Sequence, residues 1–178
     1  MAKVAVAGVV ALLLAPATAL LGLGALLSPA AQAQCLPTAS TATSTTAGSP
    51  VPETSRVAFP LPAGTWVRTS GFGMRVHPIT GEYKLHTGVD LAAPSGTHIL
   101  AAADGRVAFA GPSSGYGHLI LIEHTVGGKR VATGYAHMYA AGIHVEAGDQ
   151  VSAGQYIADV GSDGYSSGSH LHFELRPG

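Results

Sequence analysis

After Phe59 glycines recur between short apolar runs, a spacing that suits tight turns in an all-β domain. Short apolar segments alternate with glycine-bearing turns: Trp66-Val67, Val89-Asp90-Leu91, His98-Ile99-Leu100, Arg106 to Phe109, Leu119 to Ile122, Val131 to Tyr135, Gln155 to Val160 and Leu171 to Leu175. Their lengths and β-branched content fit strands, and glycine makes the intervening turns accessible. No segment in this region sustains a helical period. Residues 59–178 therefore read as one all-β domain, a single β-sandwich or barrel with a modest core.

Gly148-Asp149-Gln150-Val151-Ser152-Ala153-Gly154-Gln155 looks like a hairpin of the lipoyl- and biotinyl-carrier barrels, which suggests a fold of the duplicated hybrid motif type. A carrier needs a lysine at the hairpin tip, and no lysine follows Lys129. Carrier chemistry is excluded on that ground. Charged residues are only 11% of the chain and the formal net charge is -1, with no basic run. Nucleic acid is not an expected partner. The single cysteine, Cys35, cannot form an internal disulfide. Gln34 before it does not suit a lipoprotein cleavage site.

The N-terminus has a different texture. Lys3 is followed by an apolar run from Val4 to about Leu27 and then by small residues through Ala33. Residues 1–33 read as a secretory signal peptide, with cleavage after Ala31 or Ala33. An uncleaved membrane anchor is the alternative, since the run approaches the ~20 residues that span a bilayer. Both readings put the remainder outside the cytoplasm, and membrane contact is expected only through this segment. Residues 34–58 are rich in Ser, Thr and Pro and nearly lack large apolar side chains. Such a stretch cannot offset the entropy of ordering, so it reads as a flexible linker.

The chain has nine histidines, as many as its lysines and arginines together. On a straight strand His86 and Asp90 would lie about 13 Å apart, so binding one metal ion together requires a bend at Thr87-Gly88. In a strand, His170, His172 and Glu174 share one face, while Leu171, Phe173 and Leu175 form a core stripe on the other. Two imidazoles and an acid on one face are costly unless that face is wet or functional. Alternation likewise puts Tyr135, His137 and Tyr139 on one side of an extended segment. His77, His98, His118, His124 and His144 carry no such signal, although His77, held extended by Pro78, is a candidate for the entrance of a cleft.

The motifs Gly71-Phe72-Gly73-Met74-Arg75, His77-Pro78, His86-Thr87-Gly88-Val89-Asp90, Tyr135-Ala136-His137-Met138 and His170-Leu171-His172-Phe173-Glu174 occur in one order between Ser70 and Pro177. Together they resemble the lysostaphin-type, or LytM-like, zinc endopeptidases of bacterial cell walls. The resemblance implies zinc held by His86, Asp90 and His172, with His137 and His170 catalytic and Glu174 in support. It implies a secreted enzyme that hydrolyses peptide bonds in peptidoglycan stem peptides or cross-links through a metal-activated water. The alternative is a non-catalytic wall-binding or amidase-activating module on the same fold. Such modules usually lack some of the five positions, all of which are filled here.

Overall fold

The computed structural model describes residues 50–177. The signal-peptide or anchor segment and most of the expected linker lie outside the described residues. Among the described residues the regular structure is all strand apart from one turn of 3-10 helix at Ala140–Gly142.

Twelve strands form one large sheet and two ribbons. They are β1 (Glu53–Thr54), β2 (Val67–Ser70), β3 (Gly73–Val76), β4 (Tyr83–His86), β5 (Val89–Ala92), β6 (His98–Leu100), β7 (Gly105–Ser113), β8 (Gly117–Val126), β9 (Lys129–Met138), β10 (Gln150–Val151), β11 (Tyr156–Asp159) and β12 (His170–Pro177). The large sheet runs in the order β10-β7-β8-β9-β12-β5-β2, with β1 added parallel to β8. β6 pairs with β11 and β3 pairs with β4 as separate antiparallel ribbons. Every strand anticipated from the apolar segments is present. The β3–β4 ribbon escaped that reading because its apolar residues, Met74, Val76, Tyr83 and Leu85, are all exposed.

One face of the large sheet makes the core. Leu91, Val107, Ile120, Ile122, Tyr135, Met138 and Leu171 pack with Ile99 of β6 and Ile157 of β11. Alternation sends the intervening residues to the opposite face. That face carries Asp90, Ala136, His172 and Glu174, and the β3–β4 ribbon stands over it, placing Arg75 and Lys84 in the wall of a cleft. The core stripe expected on β12 is shorter than alternation implied: Leu171 is fully buried, Phe173 is half-buried, and Leu175 is 68% exposed. The core does not extend to the end of this strand.

The tether also stops earlier than composition suggested. Within the stretch read as linker, Glu53–Thr54 form β1, and Thr54 is buried. Its hydroxyl donates to Asp104 Oδ2 at 2.6 Å, and Asp104 Oδ1 accepts the Ala153 amide at 2.8 Å. A short polar residue thus joins the domain by hydrogen bonding, which a hydrophobicity argument does not detect.

A buried polar chain crosses the core. The Ala102 amide donates to the Tyr135 hydroxyl at 2.8 Å, Tyr135 lies 3.0 Å from the Thr133 hydroxyl, and Thr133 lies 2.8 Å from His124 Nε2. His124 Nδ1 reaches the Asp104 carbonyl at 3.0 Å. The two ends set the direction. An amide only donates and a carbonyl only accepts, so His124 carries its proton on Nδ1 and accepts from Thr133 at Nε2. Gly105 makes room for this ring, since a Cβ there would come 2.5 Å from His124 Nδ1. Burial lowers the pKa of His124, only partly offset by the bond to the Asp104 carbonyl.

A depressed folded-state pKa means that the unfolded chain takes up the proton first. The stability tied to His124 is therefore complete above its unfolded value of about 6.5 and declines as pH falls below it. Urea unfolding between pH 8 and 5.5 should show a shallower decline in His124→Gln, which keeps a donor and an acceptor but does not titrate; an identical slope in the two proteins would contradict this.

Candidate metal centre

β5 and β12 pair so that Asp90 and His172 are direct cross-strand partners. His86 ends β4, and the chain turns at Thr87-Gly88 before entering β5. The bend required by the spacing is present, but the reason for glycine is different. Gly88 is not among the positive-φ glycines. A Cβ at that position would collide with the Phe173 carbonyl oxygen and come within 3.0 Å of His172 Cε1. Glycine is needed there because β12 passes too close for a side chain.

The result is a triangle of donor atoms. His86 Nε2, Asp90 Oδ1 and His172 Nδ1 lie 2.9–3.1 Å from one another. All three residues are buried. Tetrahedral zinc with bonds of ~2.0–2.1 Å would hold such atoms about 3.4 Å apart, so a small outward movement accommodates the ion. The outer contacts set the tautomers. His86 Nδ1 lies 2.7 Å from the Gly71 carbonyl and must donate to it, leaving Nε2 bare. His172 Nε2 lies 2.9 Å from Glu174 Oε1 and donates to it, leaving Nδ1 to face the triangle. Three electron-rich atoms converging in a buried spot fit a cation.

The surrounding charges agree. Burial alone would raise the pKa of Asp90, but the bond that His172 Nδ1 makes when that nitrogen carries a proton in place of a cation, together with the neighbouring imidazoles, outweighs it and brings the pKa down. Burial alone would lower that of His172, yet Asp90 and Glu174 raise it. Both shifts mean that the pocket favours positive charge next to Asp90. Arg75 binds the other oxygen, Asp90 Oδ2, at 3.1 Å and so turns Oδ1 inward. Glu174 is fully committed. Besides His172 it accepts from Thr87, from Tyr116 at 2.9 Å and from Arg176 at 2.5 Å. Burial opposes its ionisation, but these four bonds pull its pKa to about 2.

His137 reaches the same cleft by breaking alternation. Ala136 pairs with Leu119 and Met138 with His118, so His137 is the extra residue of a β-bulge. Its φ is 72°, the one left-handed non-glycine residue among those described. Tyr135 is therefore a core residue and Tyr139 is half exposed, and the three do not share a side as strand alternation implied. His137 Nδ1 lies 2.6 Å from the Asp163 carbonyl, which leaves Nε2 bare. Burial, partly countered by that hydrogen bond, pushes its pKa down to about 4. His170 Nδ1 is likewise 2.8 Å from the Gly168 carbonyl, and its Nε2 stands 3.6 Å from Asp90 Oδ1. The rings of His137 and His170 are 4.7 Å apart.

The cleft around these groups has a volume of about 680 Å³. His77 does line it, as its place before Pro78 suggested, and so do Tyr116 and Tyr165. Thr87 and Tyr116 had no signal in the sequence: they reach Glu174 from the link before β5 and from the turn before β8, while Arg176 stands two residues along β12 on the face that carries Glu174. His98 and His144 lie elsewhere, against Tyr156.

Comparison with known proteins places this geometry in a family. Residues 84–178 match the model of peptidase family M23, and the chain belongs to that family. It is 46% identical over 108 residues to the DD-carboxypeptidase/endopeptidase Mpg of Neisseria meningitidis, covering 61% of this chain and 24% of that protein. Among solved structures, a zinc-containing peptidase from Vibrio cholerae superposes with a TM-score of 0.59 at 35% identity, covering 67% of this chain and 36% of the other. The catalytic domain of lysostaphin from Staphylococcus simulans gives 0.55 at 34% identity, covering 62% and 79%. The chain spans about a quarter of the length of the curated relatives it matches.

If Glu174 and Arg75 orient the donor triangle, removing either should weaken metal binding by roughly 10–100-fold. Competition titration of zinc against a chromophoric chelator in Glu174→Gln and Arg75→Ala should show this, with the fold intact by circular dichroism; wild-type affinity in both would refute the outer contacts as orienting groups.

Proposed function

We propose that this chain is an extracytoplasmic zinc-dependent endopeptidase that hydrolyses peptide bonds in peptidoglycan stem peptides or cross-links. The observation that carries the reading is the donor triangle with two further imidazoles beside it, each turned by a carbonyl so that its Nε2 is bare. Membership in a peptidase family and similarity to a protein named a DD-carboxypeptidase/endopeptidase support the substrate class. The apolar N-terminal segment supports export.

His86 Nε2, Asp90 Oδ1 and His172 Nδ1 would hold the zinc. Such an ion supplies Lewis acidity toward water and toward a scissile carbonyl. The chain's own groups do the proton work. His137 is neutral at pH 7, because burial keeps its pKa near 4, so Nε2 can accept a proton from the attacking water. His170, whose Nε2 stands 3.6 Å from Asp90 Oδ1, can stabilise the charge that develops on the carbonyl oxygen in its doubly protonated form, with Nε2–H as the donor. Arg75 and Glu174 hold the donors still while this happens.

Purified peptidoglycan digested with the protein should release peptide fragments detectable by mass spectrometry. Release should stop with a chelator and return with zinc. His137→Ala should lose about 10²–10⁴-fold in kcat while retaining stoichiometric zinc. His172→Ala should lose the zinc itself by elemental analysis. Digestion unaffected by chelation, or full zinc retention in His172→Ala, would overturn the reading.

A further inference from the structure

The two imidazoles beside the donor triangle are aimed by one loop. It joins β11 to β12 and supplies both carbonyls, Asp163 to His137 Nδ1 at 2.6 Å and Gly168 to His170 Nδ1 at 2.8 Å. If the loop shifts, both rings lose the partner that fixes their tautomer. What holds the loop is therefore part of how the rings are presented.

Two backbone bonds tie its middle to the rest of the domain. The Asp163 amide donates to the His137 carbonyl at 3.1 Å, and the Tyr165 amide donates to the Gly115 carbonyl at 2.9 Å. Glycine meets glycine in between. A Cβ on Gly117 would come 2.6 Å from Asp163 Cγ, and one on Gly164 would come 2.7 Å from Gly117 Cα. The side chain of Asp163 adds a third tie. Its Oδ1 accepts the Gly164 amide at 2.9 Å, and its Oδ2 lies 2.6 Å from His118 Nδ1. His118 belongs to β8 and pairs with Met138, the residue next to His137 at the bulge. The Asp163–His118 contact thus joins the loop that aims His137 to the strand against which the bulge forms.

We propose that Asp163 and His118 are positioning residues, a clamp that sets the tautomer and direction of His137 and, through the same loop, of His170. The proposal rests on the reading that these two histidines handle protons. Neither clamp residue touches the donor triangle. The pair is partly exposed, with side chains 21% and 34% accessible, and surface pairs of this kind contribute little to global stability. Its removal should therefore change ring presentation far more than folding.

The test uses the zinc-loaded full chain, comparing wild type, Asp163→Ala, Asp163→Asn and His118→Ala. Long-range ¹⁵N–¹H spectra of the imidazoles should show His137 as the Nδ1–H tautomer in wild type and as a mixture in Asp163→Ala and His118→Ala. Asp163→Asn, which keeps an acceptor for Gly164 and a polar partner for His118, should restore the wild-type pattern. With peptidoglycan as substrate, kcat in the two alanine variants should fall by about 10–100-fold with KM and zinc content unchanged, and the double variant should be no worse than Asp163→Ala alone. Unaltered His137 nitrogen signals in both alanine variants would overturn the clamp, and so would losses that multiply in the double variant. The spectra need no substrate. A wild-type protein that cleaves nothing would sink the peptidase reading and leave the clamp to be judged by tautomer.

Discussion

Asp90 and His172 face each other across a single antiparallel step, and the rest of the centre is built outward from that contact. Once β5 and β12 are in register, a carboxylate oxygen and an imidazole nitrogen are 2.9 Å apart without help from any loop. His86 is then added from β4 by a two-residue link, and Gly88 lets that link lie flat against β12. Donors carried on strands are held more firmly than donors carried on loops, because each strand is itself fixed by its neighbours. Slipping β12 by one residue would exchange His172 for an apolar neighbour and remove one corner of the triangle. Register and metal chemistry are here the same constraint.

The electrostatics follow from which side of the sheet each group occupies. On the core face the polar atoms form one directed chain from Ala102 to Asp104, with every donor and acceptor used. On the cleft face they leave lone pairs unmet at His86, Asp90, His172, His137 and His170, all within one pocket. A buried neutral chain costs little once it is complete, whereas clustered lone pairs demand a cation or a substrate.

Much of this was legible from sequence. Short apolar segments between glycines located most strands of the large sheet; spacing singled out His170, His172 and Glu174 on one strand face, and the family resemblance supplied His86, Asp90 and His137 as the remaining candidates. Four things were not legible, each for a physical reason. Alternation failed at His137 because a bulge adds one residue without any local mark beyond the residue itself. It also overran on β12, where Leu175 lies beyond the edge of the core. The Glu174 network draws on Thr87 and Tyr116, which sheet pairing brings in from distant turns, as well as on Arg176 of its own strand. The linker boundary moved because Thr54 is held by a carboxylate and not by apolar contact.

The bulge also sets a cost on the molecule. His137 sits at φ 72°, a region that glycine occupies freely and that other residues enter against steric resistance. A glycine at that position would relax the backbone and forfeit the imidazole. Selection for heat resistance alone would thus tend to erase the very side chain to which the proposed chemistry assigns the proton, and screens that harden this domain must count turnover as well as survival.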